Sequence, residues 1–219
     1  MPTTLYRPVG LHELALIWDS GMREFPPRLP NQPIFYPVNN AEYARQIARD
    51  WNTRDEKSGF AGFVTEFAID SAYIAKFASH VVGASQHQEY WIPADELAAF
   101  NKAILDRIRV REAFFGPSFV GRVPDAYALK GKDAATQMAT LAKAWDYSTF
   151  DVACEISANR KSVYLNCLFW AQHDFAESGV SQQLRDDFIS NLKKLWEFDH
   201  IDVPLPGELS ETAASSDNG

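Results

Sequence analysis

Apolar positions along the first 115 residues recur with two different periods, and the switches between them mark out the elements. Thr3-Thr4-Leu5-Tyr6-Arg7-Pro8-Val9 reads as a short first strand. Pro8 has no N–H to give to a ladder, so it restricts that strand to a sheet edge or ends it. Leu11, Leu14, Ala15, Ile17 and Trp18 then follow the spacing of one helix face, and Gly21 stands where a helix stops. A loop with Pro26, Pro27, Pro30 and Pro33 covers residues 22–33 and carries Arg23 and Arg28; the pair could hold an anion, with a solvated loop the favoured reading. Ile34-Phe35-Tyr36-Pro37-Val38 is a second short strand. Asn39-Asn40 is a turn and N-cap signal for a helix over residues 41–51, with Tyr43, Ile47 and Trp51 on one stripe. Residues 59–69 alternate as a strand, Asp70 caps a short helix to Phe77, and residues 80–83 form another strand. Gln88-Glu89-Tyr90-Trp91-Ile92 is the next strand, residues 94–100 are helical, and residues 108–115 complete the series.

The pattern changes after that point. Gly116, Pro117, Gly121, Pro124 and Gly131 mark residues 116–132 as a linker. Four helices are predicted beyond it, over residues 133–145, 149–156, 162–175 and 181–198. The last is the clearest, with Leu184, Phe188, Leu192, Leu195 and Trp196 on one face and Ser181 as N-cap. The third is ambiguous, because Val163-Tyr164-Leu165 suits a strand equally well. These patterns predict an α+β first domain, residues 1–121, built on a split, mixed or antiparallel sheet of about six short strands. A small mainly helical domain, residues 122–205, and a polar disordered tail, residues 206–219, follow it.

Charge adds one restriction. The chain carries a formal net charge of −8, and most of it lies in the second part: 9 Lys and Arg against 15 Asp and Glu after residue 121. That imbalance opposes a broad nucleic-acid face, which needs clustered cations, while a small basic groove in the first part stays open. The acidic helical part offers a docking surface for a protein partner, or simply a solvated surface. Two cysteines, Cys154 and Cys167, are too few for a disulfide framework, make no zinc pattern, and are both expected to be buried. No apolar run is long enough to span a membrane, and the N-terminus lacks the basic-then-apolar order of a signal peptide. A cytoplasmic chain is expected, with no metal and no membrane partner.

Candidate chemistry centres on Glu89, set among Tyr90, Trp91 and Ile92. An ionised carboxylate in an apolar layer costs several kcal/mol unless it is paired, so it belongs at a sheet edge or in a cleft. Strand alternation places His87 on the same face as Glu89. With Tyr6-Arg7 on a first strand, Phe35-Tyr36 on a strand feeding a helix that holds Tyr43-Ala44, and Glu89 on a later strand, residues 3–115 resemble the ADP-ribosyltransferase superfamily, the fold shared by ADP-ribosylating toxins and poly-ADP-ribose polymerases. The resemblance implies that the co-substrate is NAD. It implies that Arg7 anchors the NAD phosphates or ribose, that Tyr36 stacks on the nicotinamide ring, and that Glu89 holds the nicotinamide ribose and faces the positive charge developing there. Tyr6 and Gln86 would be neighbouring cofactor contacts. His87 stands where many members carry a second Glu or Gln that helps select the acceptor.

The implied activity is mono-ADP-ribosyl transfer from NAD, with nicotinamide released, to an acceptor that the sequence does not identify: a protein, a nucleic acid or a small molecule. The chain has no Ser-Thr-Ser motif on the second strand and has His-x-Glu where Glu-x-Glu is common. A non-catalytic module of the same fold that binds a nucleotide or a partner, and an NAD glycohydrolase that uses water as acceptor, are the rival readings.

Overall fold

The computed structural model describes residues 2–81, 88–198 and 202–207. The chain divides into two compact units, Met1–Phe119 and Val120–Gly219.

In the first unit the elements run β1 (Pro2–Gly10), α1 (Leu11–Asp19), β2 (Ile34–Phe35), α2 (Ala41–Asp50), β3 (Ala61–Asp70), α3 (Ser71–Ile74), β4 (Ser79–Val81), β5 (Gln88–Tyr90), β6 (Ile92–Pro93), α4 (Leu97–Ala103) and β7 (Arg109–Phe115). β3 lies between β1 and β7 in a three-stranded antiparallel sheet, while β4 pairs with β5 and β2 with β6, again antiparallel. The unit therefore mixes helices with small antiparallel sheets, as an α+β reading requires. The expected strand over 88–92 is broken after Tyr90, and the expected strand over 34–38 pairs as β2 and then at Val38 alone.

Val38 is what links the pieces. It bridges Tyr6 of β1 and, on its other side, Glu89 of β5. Its N–H donates to the Tyr6 carbonyl at 2.8 Å and its carbonyl accepts from the Tyr6 N–H at 2.8 Å. Pro8 does not end β1, which continues to Gly10; it is tolerated because β1 is the outer strand of the three.

The two faces of the central sheet are filled differently. Leu5 and Val9 of β1 and Phe63, Phe67 and Ile69 of β3 are buried on one face, with α1 supplying Leu11, Leu14 and Ile17. Phe25, Phe35, Phe67 and Phe100 interlock there with ring centroids 4.9–5.9 Å apart, the edge and tilted geometries that aromatic quadrupoles favour. On the other face α2 lays Tyr43, Ala44 and Ala48 against Val64 and Val38, with Tyr6 and Phe114 at the margin. Gly62 makes that approach possible, because a Cβ on it would stand 2.0 Å from the Ala48 carbonyl oxygen. Asn40 caps α2 as its position predicts, its side chain accepting from the Glu42 and Tyr43 N–H groups.

The second unit holds α5 (Ala134–Trp145), α6 (Thr149–Ala158), α7 (Arg160–Gln172) and α8 (Gln182–Phe198). The ambiguous third segment is α7, and every residue from Ser162 to Trp170 is buried. A helix apolar on all sides belongs at the centre of its bundle. Asn166, fully buried, donates to the Arg122 carbonyl at 2.9 Å and to Gln137 Oε1 at 3.0 Å, and accepts from the Arg122 N–H at 2.9 Å. Residues 120–132, expected as a linker, are thus part of the helical unit. Cys167 is buried as expected, but Cys154 is exposed, because it occupies a position of α6 between the buried Val152 and Ile156. The expected tail falls almost wholly on residues 208–219, outside the described residues. Among the described residues no helix is long and apolar enough to cross a membrane.

Candidate functional site

A cleft of about 360 Å³ opens on the first unit where Val38 holds β1 and β5 together. That is at the lower end of the range of small-molecule pockets. Arg7, Tyr36 and Glu89, which lie 82 positions apart at the extremes, all line it. So do Glu13 of α1, Arg28 and Gln32 of the Pro-rich loop, Tyr43 of α2, and Trp51.

Arg7 continues the buried row of Leu5 and Val9, and is itself only 8% exposed. A guanidinium in that row needs full compensation. Its Nε donates to Glu13 Oε1 at 2.9 Å, its Nη2 to Glu13 Oε2 at 3.4 Å and its Nη1 to the Tyr36 carbonyl at 3.1 Å. It also stands 4.5 Å from the centroid of the Phe35 ring, a cation–π contact. Helix α1 follows β1 directly at Gly10, and this places Glu13 within reach of Arg7.

Glu89, half-buried, takes two side-chain donors. Tyr43 donates to its Oε1 at 2.8 Å and Trp91 Nε1 donates to its Oε2 at 3.3 Å. Each oxygen takes one hydrogen bond from a described residue, and a carboxylate oxygen has room to accept a second. Burial, then the hydrogen bond to Glu89 and its negative charge, push the Tyr43 phenol up to about 12, so it remains a donor at neutral pH. Tyr36 is partly exposed and meets Trp91 edge-to-face at 6.1 Å. His80 stacks on Trp91 at 4.4 Å. Between Glu89 and β1 lie two interstrand spacings, roughly 10 Å in all. The cleft therefore has a cationic end at Arg7 and Arg28 and an acidic end at Glu89, and Tyr36 lines it too, its carbonyl on Arg7 and its ring against Trp91.

Two expectations need correction. Tyr6, placed beside Arg7 by sequence, does not line the cleft. Its ring packs under α2 against Val38 and Val64, and burial followed by the nearby Glu66 carboxylate raises its pKa. Successive strand residues face opposite sides of a sheet, and this turns the Tyr6 ring to the α2 side, away from the Arg7 guanidinium. Arg28 is the converse case: expected in solvent, it lines the cleft with a side chain only 12% exposed. Gln86 and His87 lie outside the described residues. Tyr43, Glu13 and Trp51 were not singled out as site residues. Trp51 carries only the signal of a helical stripe, Tyr43 has that stripe and its place in the strand–turn–helix segment of the resemblance, and Glu13 has no signal beyond its position after the first strand. Among the described residues no cluster of His, Cys, Asp or Glu could hold a metal ion.

Comparison with protein-family models, with curated proteins and with solved structures finds no match to this chain.

Proposed function

We propose that the first unit is an ADP-ribosyltransferase-like domain that binds NAD in the cleft and transfers ADP-ribose to an acceptor, releasing nicotinamide. The observation that carries this reading is the convergence of Arg7, Tyr36 and Glu89 on one cleft. NAD supplies a glycosidic bond whose cleavage leaves positive charge on the ribose and releases a neutral base. Glu89 is suited to that charge because Tyr43 and Trp91 fix both of its oxygens before the ligand arrives. A preoriented carboxylate of this kind stabilises charge at little reorganisation cost. Tyr36 is 38% exposed at the cleft, which leaves it accessible for stacking, and the Arg7 end attracts the phosphates.

A second reading draws on one specific feature. The Arg7 fork is already committed to Glu13 and to the Tyr36 carbonyl, as an ion pair in a non-catalytic binding module would be. The experiment that separates the two is nicotinamide release from NAD by the wild type and by Glu89→Gln, with NAD binding followed by calorimetry. Release by the wild type and a loss of about a hundredfold or more in Glu89→Gln support the transferase, in line with the removal of one preorganised electrostatic group. Binding without release leaves the binding module. Release without labelling of any acceptor identifies a glycohydrolase. Neither release nor binding sinks the NAD reading altogether.

A further inference from the structure

Arg28 leaves the Pro-rich loop and enters the cleft, although nothing in the loop's local structure requires it to do so. Its Nη2 donates to Gln32 Oε1 at 2.7 Å, and its Nη1 lies 3.9 Å from Glu13 Oε1. Its Nε is buried and has no hydrogen-bond partner among the described residues. Glu13 therefore serves two guanidinium groups at once, at 2.9 Å from Arg7 and 3.9 Å from Arg28. Among the described residues these three groups leave one positive charge without a paired carboxylate, in a corner where their side chains are only 9–23% exposed. A buried donor without a partner is costly, and such groups persist where a ligand or ion completes them. Burial and the neighbouring Arg7 charge both lower the pKa of Arg28, so the corner is strained toward accepting more negative charge. The other carboxylate lining the cleft, Glu89, is bonded to Tyr43 and Trp91, and its strand lies two interstrand spacings, about 10 Å, from β1.

We propose that Arg28 and Arg7 together form an anion subsite for a phosphate or pyrophosphate group, and that Glu13 is its resident counter-ion, displaced as the ligand enters. The Glu13 oxygens mark where phosphate oxygens would sit on the Arg7 fork, since planar guanidinium groups take carboxylate and phosphate in the same bidentate way. A doubly charged group matches two guanidinium groups where one carboxylate does not. The Glu13 side chain is 23% exposed, so its carboxylate can turn to water once replaced. The choice of a dinucleotide pyrophosphate rests on the NAD reading above; the affinity for a phosphate group does not.

The test is calorimetric binding of inorganic pyrophosphate, inorganic phosphate and ADP-ribose to the full chain and to Arg28→Gln, Arg28→Lys, Glu13→Gln and Arg23→Gln, each checked for folding by circular dichroism. Arg28→Gln is expected to weaken pyrophosphate binding about tenfold or more, the value of roughly one charge-assisted hydrogen bond. Arg28→Lys, which keeps the charge and loses the fork, falls between. Glu13→Gln is expected to tighten binding by about tenfold, because the competing carboxylate is gone. Arg23→Gln, an exposed neighbour in the same loop, leaves binding unchanged. Inorganic phosphate bound as well as pyrophosphate, with ADP-ribose excluded, supports the subsite and assigns it to a phosphate monoester. A wild type that binds none of the three overturns the proposal, as does a folded Arg28→Gln of wild-type affinity. Glu13→Gln that is folded and binds more weakly refutes the counter-ion role. Pyrophosphate binding without NAD consumption removes the transferase reading and leaves the subsite standing, whereas NAD consumption with an unchanged KM in Arg28→Gln does the reverse.

Discussion

Tyr43→Phe removes one oxygen and should separate the roles of α2 and β5 in the cleft. The phenol is 8% exposed and its hydroxyl donates to Glu89 Oε1 at 2.8 Å. A hydrogen bond to a charged group contributes about 1.5–3 kcal/mol. Glu89 is only half-buried, so water can replace part of that contact, and the expected loss of stability lies near the lower figure. If Glu89 must be preoriented, the same loss of about 1.4 kcal/mol in the transition state slows nicotinamide release roughly tenfold, with the effect in kcat rather than in KM. The pH dependence supplies a second signature. The folded-state pKa of Tyr43 is raised above its ordinary value of 10, to about 12. Stability from this group is therefore complete below pH 10 and is lost as pH rises toward 12, because the unfolded chain ionises first. Denaturant unfolding of the wild type and the variant, measured between pH 7 and pH 12, should show a gap that narrows above pH 10. A gap that stays constant across that range, or a variant as stable as the wild type at pH 7, refutes the assignment of the Tyr43–Glu89 bond as a fixed support of the site.

Three further outcomes are expected. Gly62→Ala should destabilise the first unit by about 2–4 kcal/mol, since the new Cβ meets the Ala48 carbonyl oxygen at 2.0 Å; thermal unfolding of the variant checks this. Asn166→Ala should cost the second unit about 3–5 kcal/mol, because it strands the Arg122 N–H and Gln137 Oε1 inside the bundle; chemical denaturation followed by tryptophan fluorescence reads the loss. In the native protein one thiol, Cys154, should react with a soluble disulfide reagent, while Cys167, buried and with its pKa pushed up by burial, should react only on unfolding; two fast-reacting thiols would contradict the placement of α7.

Much of the element order is legible from local rules. Alternation gives β1, β3 and β7, and a one-sided apolar stripe gives α1, α2 and α8. Asn40, Asp70 and Ser181 cap helices where their sequence positions predict, because a cap needs only a side-chain oxygen two or three residues from a free N–H. The period of two also places Tyr6 on the α2 face and Arg7 on the opposite one. The ambiguity of residues 162–175 was not avoidable, because a segment buried on all sides carries no periodicity to read.

The sequence by itself determined that Arg7 and Glu89 sit on strands and that Tyr36 precedes a capped helix, since spacing and capping act over a few residues. It could not determine that a single bridging residue, Val38, would draw β1 and β5 together and open a cleft beside them. Nor could it show that Arg28, in a loop with no period of its own, would turn inward to share Glu13 with Arg7. Those outcomes are decided by contacts between residues far apart in the chain, where local propensity is silent and only the balance of burial, charge compensation and hydrogen bonding in the folded unit selects the arrangement.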